Sequence, residues 1–210
     1  MAMSFGDWLA RCPLVAILRG VPPDAVEAVT AALDDHGIAI VEVPLTSPDP
    51  LASIRRLAAR FGARLLIGAG TVMTEADVAA VAAAGGRLIV TPHAAGAVVR
   101  AARQHGLFAC PGFATPTEAF AMLAAGADAI KLFPAEAASP AVLRALRAVL
   151  PAGTLVLPVG GITAETMRPW LAAGAVGFGI GSAIYQAGDS PARVGEKAAA
   201  LRAGLQQARG

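Results

Sequence analysis

ADAIKLFPAE, residues 127–136, sets Lys131 between Ile130 and Leu132, with Phe133 one place further on. The run reads as the end of a short buried strand. Lysine seldom stays in such a place, because its charged form loses hydration there. Either the ammonium finds a buried carboxylate, or it gives up its proton and becomes an amine nucleophile. The plain alternative is a lysine that lays its stem along the wall and snorkels to the rim.

Similar apolar runs recur on both sides of this stretch. They are Leu14–Leu18, Ala39–Val43, Leu65–Gly68, Leu88–Val90, Phe108–Cys110, Leu155–Val159 and Val176–Ile180, with Ala129–Leu132 completing the set. All are short and bounded by Gly or Pro, as strands covered on both faces are. Amphipathic segments alternate with them: Pro23–His36, Pro50–Phe61, Glu75–Ala84, Ala94–His105, Pro116–Ala125 and Pro140–Leu150. Helix starts are marked at Thr74, Thr115-Pro116 and Ser139-Pro140. Helix stops are marked by Gly37, Gly62, Gly85, Gly106, Gly126 and Gly174. About eight βα units in one chain of 210 residues predict a single-domain (β/α)8 TIM barrel over residues 1–210. A doubly wound sheet is the alternative, but Arg19-Gly20 stands where a GxGxxG fingerprint would follow the first strand. The leading segment Ser4–Arg11 reads as a short N-terminal helix that caps the barrel floor.

Hydrophobic residues make up 56% of the chain and charged residues 15%, which excludes disorder and demands extensive burial. A net charge of +2 is too slight to imply a nucleic-acid partner or an anionic membrane. The arginines are mostly single residues on helix faces. Two cysteines, Cys12 and Cys110, form no CxxC pair, so a reducing compartment is expected. The N-terminus lacks the basic and apolar regions of a signal peptide, and no apolar run reaches a membrane span of ~18 residues. The expectation is a soluble, cytoplasmic protein.

In such a barrel the chemistry lies at the carboxyl ends of the strands. Read in order, those ends carry Arg19, Glu42, Thr71, Thr91-Pro92, Pro111-Gly112, Lys131, Gly160-Gly161 and Gly181-Ser182. Each has a bland reading as a salt-bridge partner or a tight turn, but chance would scatter them over both ends. The glycines after strands seven and eight lack Cβ atoms, so their amides can approach a phosphate, with a helix N-terminus adding its dipole. Ser182 adds a hydroxyl. A phosphorylated substrate is the expectation. His36, His93 and His105 are dispersed with no ligand spacing, so no metal site and no cofactor is expected. His36 and His105 sit near helix ends, and His93 stands at the mouth.

The stretches PLVAILRG (13–20), VEVPLTSP (41–48), LIGAGTV (66–72), LIVTPH (88–93), ACPGFATPTEA (109–119), AIKLFPAE (129–136), LPVGGIT (157–163) and GIGSAIY (179–185) resemble the KDPG/KHG aldolase family. These are class I aldolases that cleave phosphorylated 2-keto-3-deoxy sugar acids. The resemblance implies that Lys131 forms the Schiff base and that Glu42 is the general acid/base. It puts substrate contacts on Arg19, Thr71, Pro92, Phe133 and Val159. The phosphate would sit on Gly160, Gly161, Gly181 and Ser182. A homotrimer and a small-molecule substrate are implied with them.

Two positions separate the branches. Gluconate-type members resemble EVTLRT after strand two, where this chain has EVPLTS with Thr46, and they carry Thr where Val159 stands. Both features, with ILRG, favour the galactonate type, whose products are pyruvate and D-glyceraldehyde 3-phosphate. The gluconate type is the alternative. Glu136 departs from the serine-rich loop of galactonate-type members and is a rival acid/base. Two other functions use the same glycines: a phosphate-binding barrel working without an imine, and a non-catalytic sugar-phosphate binder.

Overall fold

The computed structural model describes residues 3–210. Residues 1 and 2 of the expected 1–210 domain lie outside the described residues. The chain runs α1 (Phe5–Arg11), β1 (Leu14–Ile17), α2 (Val26–Asp35), β2 (Ile40–Pro44), α3 (Pro50–Phe61), β3 (Leu66–Gly70), α4 (Glu75–Ala83), β4 (Leu88–Val90), α5 (Gly96–Gln104) and β5 (Phe108–Cys110). It continues β6 (Gly112–Phe113), α6 (Pro116–Ala124), β7 (Ile130–Leu132), a 3-10 turn (Ala135–Ala137), α7 (Pro140–Arg147), β8 (Val156–Pro158), α8 (Met167–Ala172), β9 (Phe178–Ile180) and α9 (Pro191–Arg209).

The strands form two parallel sheets, one in the order β5-β4-β3-β2-β1-β9 and one in the order β6-β7-β8. The sheets meet at both flanks. Pro111 alone separates β5 from β6, and its carbonyl accepts from the Lys131 N–H at 2.8 Å. Past β8, Val159 makes a parallel bridge to Gly179 of β9. The result is a curled parallel α/β sheet. Phe108–Cys110, read as one strand, is followed at once by a second, because proline has no N–H for the ladder.

Local chemistry explains the helix starts. Ser4, Thr74 and Thr115 each close a capping box, with Asp7, Asp77 and Glu118. Ser139 accepts from the Val142 N–H ahead of Pro140. The segment begun at Pro23 turns helical only at Val26, where no side chain caps it. Of the glycine stops, five adopt positive φ, but Gly62 sits at φ −58° and ends α3 in helical geometry.

The buried positions of α2, Val26, Val29, Thr30 and Leu33, follow the i, i+3, i+4, i+7 rule of a single core-facing stripe. On the other side of the sheet, α1 buries Phe5, Trp8 and Leu9. The Phe5 ring meets Phe108 at 5.8 Å, so this helix covers the amino ends of the strands. No helix among the described residues is long and apolar enough to cross a membrane.

Candidate active site

Strand register decides which side chains meet. Glu42 on β2 lies opposite Ile17 on one side and Gly68 on the other. Lys131 on β7 lies opposite Gly112 and Leu157. Both are buried, at 2% and 8% exposure, far below what either residue type normally shows. Together with Phe5, Cys110 and Leu157 they line an enclosed cavity of about 20 Å³, space for about one water.

Lys131 also reaches a second, more open cavity of about 180 Å³. Arg19, Phe133 and Val159 line its inner part, and Gly160, Gly161, Gly181 and Ser182 line its outer part. The Lys131 Nζ stands 4.4 Å from the centroid of the Phe133 ring. Nine of the eleven residues named from the sequence thus line one or both cavities. Thr71 and Pro92 line neither, though both stand at the same strand ends, and His93 is exposed beside them.

Burial dominates the electrostatics. It pushes the Glu42 carboxyl up to about 7, against the opposing pull of Lys131 and then Arg19. It pulls Lys131 below the ordinary lysine value, with Glu42 and Cys110 opposing and Arg19 adding the smallest push. Desolvation, more than Arg19, therefore makes the amine available. The Glu42 Oε2 is buried without a hydrogen-bond partner among the described residues. The Cys110 thiol is held up to about 12, chiefly by burial, and stays protonated.

Gly70 and Ser47 escaped the sequence reading, and Thr91, named there only as a strand end, joins them as a support. Gly70 leaves room for Glu42, since a Cβ there would run into the carboxylate. The buried Ser47 hydroxyl accepts from the Gly20 N–H at 2.9 Å and lies 3.5 Å from the Leu18 carbonyl. It therefore holds both neighbours of Arg19. Thr91 Oγ1 accepts from the Gly112 N–H at 3.2 Å and donates to the His93 carbonyl, bracing the strand beside Lys131. Only the hydroxyl residues beside each strand end hinted at these links.

Thr71 adopts φ +55°, which a β-branched residue avoids. Bonds on either side hold it there: Leu45 N–H to the Gly70 carbonyl at 2.8 Å, and Val72 N–H to the Val90 carbonyl at 3.2 Å.

The glycine pair differs from expectation in one respect. Gly160 and Gly161 take φ +110° and +63°, but the next helix starts only at Met167, and after Gly181 only at Pro191. The cradle is built from turns, without a helix N-terminus against it. Glu136 lines the outer cavity with its carboxylate against the glycine pair, at the far end from Glu42. Among the described residues no three His, Cys, Asp or Glu side chains group as metal ligands.

Fold and site together define an α/β protein that gathers its reactive side chains at the carboxyl ends of parallel strands. The family model for KDPG and KHG aldolase matches residues 6–194, and the chain belongs to that family. It is 46% identical over 195 residues to the 2-dehydro-3-deoxy-6-phosphogalactonate aldolase of Escherichia coli, covering 93% of this chain and 95% of that protein. The 2-dehydro-3-deoxy-phosphogluconate aldolase of Pseudomonas aeruginosa is 33% identical over 142 residues, 67% of this chain and 64% of that protein. A solved structure described as native KDPGal superposes with a TM-score of 0.93 at 45% identity, covering 95% of this chain and 97% of that one.

Proposed function

We propose that this chain is a class I aldolase that cleaves 2-dehydro-3-deoxy-6-phospho-D-galactonate to pyruvate and D-glyceraldehyde 3-phosphate. The observation that carries this reading is the buried pair Lys131 and Glu42 beneath a cavity that runs outward past Arg19 to the glycine pair. The galactonate configuration is favoured by the higher identity to the galactonate enzyme, and by Thr46 and Val159.

The neutral amine of Lys131 attacks C2 of the keto acid, and the carbinolamine loses water to give a protonated imine. Glu42, with its carboxyl near 7, can both give and take a proton at neutral pH. Removal of the C4 hydroxyl proton breaks the C3–C4 bond, releases the phosphorylated aldehyde and leaves an enamine on Lys131. Protonation at C3 and hydrolysis then return pyruvate and the free amine. Arg19 takes the substrate carboxylate, with Thr71, Pro92, Phe133 and Val159 bounding the carbon chain. Gly160, Gly161, Gly181 and Ser182 hold the phosphate. The imine is the electrophile, so this route calls on no cofactor.

The same reading extends to the whole molecule. The expected 1–210 domain is one (β/α)8 barrel over its described residues 3–210, a closure supported by the contacts at Pro111 and Val159. The enzyme works in the cytoplasm, consistent with its two free, buried cysteines, and the family resemblance implies a homotrimer.

The test is incubation with pyruvate and borohydride followed by peptide mass spectrometry, then turnover of both C4 epimers. A lactyl-sized adduct on Lys131 and faster galactonate turnover are expected. No adduct in excess pyruvate would remove the imine and leave a phosphate-binding barrel.

A further inference from the structure

The Glu136 side chain rests on the glycine pair. A Cβ built on Gly160 would collide with its carboxylate, and one on Gly161 would come within 2.8 Å of its Cγ. The side chain is exposed, and none of the ion pairs among the described residues holds it. Its backbone is fixed. The Ala135 N–H donates to the Val159 carbonyl at 2.9 Å, and the Ala137 N–H to the Pro134 carbonyl at 3.1 Å. Only the side chain's own torsions are free to carry the carboxylate off the cradle. That cradle is the surface assigned to the phosphate under the aldolase reading, and two anions repel too strongly to share it.

We infer that Glu136 is a specificity-determining gate, its carboxylate occupying the Gly160–Gly161 cradle until a phosphate-bearing substrate displaces it. The inference rests on the proposed aldolase function. A free phosphate ion must expel the carboxylate unaided, so its affinity falls by the fraction of time the cradle is open. A substrate already held at Lys131 and Arg19 presents its phosphate at high effective concentration. Glu136 therefore lowers occupancy of the cradle by free phosphate and by the departing phosphorylated aldehyde, while the phosphate of the tethered substrate still fills it.

The experiment uses the full chain, Glu136→Gln and Glu136→Ala, with inorganic phosphate as the probe. Its inhibition constant against aldol cleavage is measured beside borohydride trapping of pyruvate on Lys131. Gln removes the charge at nearly constant shape, and Ala empties the cradle. Phosphate should inhibit both variants about tenfold or more tightly than the parent. Equal inhibition constants in all three proteins would overturn the gate. So would an intact pyruvate adduct with no phosphate inhibition in any of them, since phosphate would then not use the cradle. Failure of the parent to trap pyruvate would instead remove the aldolase reading, and the gate with it.

Discussion

Gly70 lies where any side chain would run into the Glu42 carboxylate. The two residues are on neighbouring strands, β3 and β2, so the inward glycine on one makes room for the inward acid on the other. Gly70→Ala therefore forces the carboxylate or the strand to move. If Glu42 carries the proposed proton transfer, displacing it by about 1 Å costs on the order of 100-fold in rate. Steady-state kinetics should register that loss in kcat, with circular dichroism reporting a retained fold.

Glu42→Gln tests the proton-transfer role and the cost of the buried acid together. Turnover should fall by roughly 10²–10⁴, and the rise of kcat/KM with pH near 7 should vanish with it. The stability effect has the opposite sign. Between the ordinary value of 4.5 and about 7 the folded protein keeps a proton that the unfolded chain has released. The parent's stability thus drops as pH climbs through that window. Gln carries no such dependence, so the variant should gain on the parent by on the order of 3 kcal/mol between pH 4.5 and pH 8. Urea melts at the two pH values measure this.

Lys131→Met removes the proposed nucleophile and puts an apolar stem of similar length in its place. Turnover and pyruvate trapping should both disappear. The melting temperature should change little, because methionine fills nearly the same space and the Glu42 carboxyl left behind is raised by burial and can keep its proton near neutral pH. A folded variant that still cleaves substrate would move the imine elsewhere.

What could be read from the sequence was whatever repeats locally. The strand runs, the capping residues Thr74 and Thr115, and the inward lysine of AIKLF all announce themselves within a few residues. Links between distant segments were silent. Gly70 means room for Glu42 only once register pairs β2 with β3, and Ser47 braces Arg19 from 28 positions away in a neighbouring loop. The direction of the Glu136 side chain depends on how the 3-10 turn lies against β8, which no spacing encodes. Pro111 marks the break between β5 and β6 only once its missing N–H is set against the ladder of neighbouring strands.

Ser47→Ala unties the loop that presents Arg19. The Gly20 N–H loses its acceptor, and the guanidinium between the two anchored residues gains freedom. Losing about 1 kcal/mol of substrate binding raises KM roughly fivefold, with kcat changed much less. Ser47→Thr, which keeps the hydroxyl, should recover most of the loss. A matching fall in kcat would show that Ser47 serves the lysine end instead.

Val159→Thr addresses the choice between the C4 epimers. Val159 is 7% exposed and lines both cavities, between Lys131 and the glycine pair. Gly179 permits this, since a Cβ there would come within 2.7 Å of the valine side chain. Under the proposed function, a substrate held by C2 at Lys131 and by its phosphate at the glycines passes C4 along this wall. Valine offers that carbon only methyl groups, whereas threonine of nearly the same shape adds a donor and acceptor. A polar group placed against one hydroxyl configuration is worth about tenfold or more in kcat/KM. The ratio of galactonate to gluconate turnover should therefore fall by about that factor, while pyruvate trapping on Lys131 persists. If the ratio stays put, the discrimination lies across the mouth at exposed Thr46, and Thr46→Arg becomes the substitution that moves it.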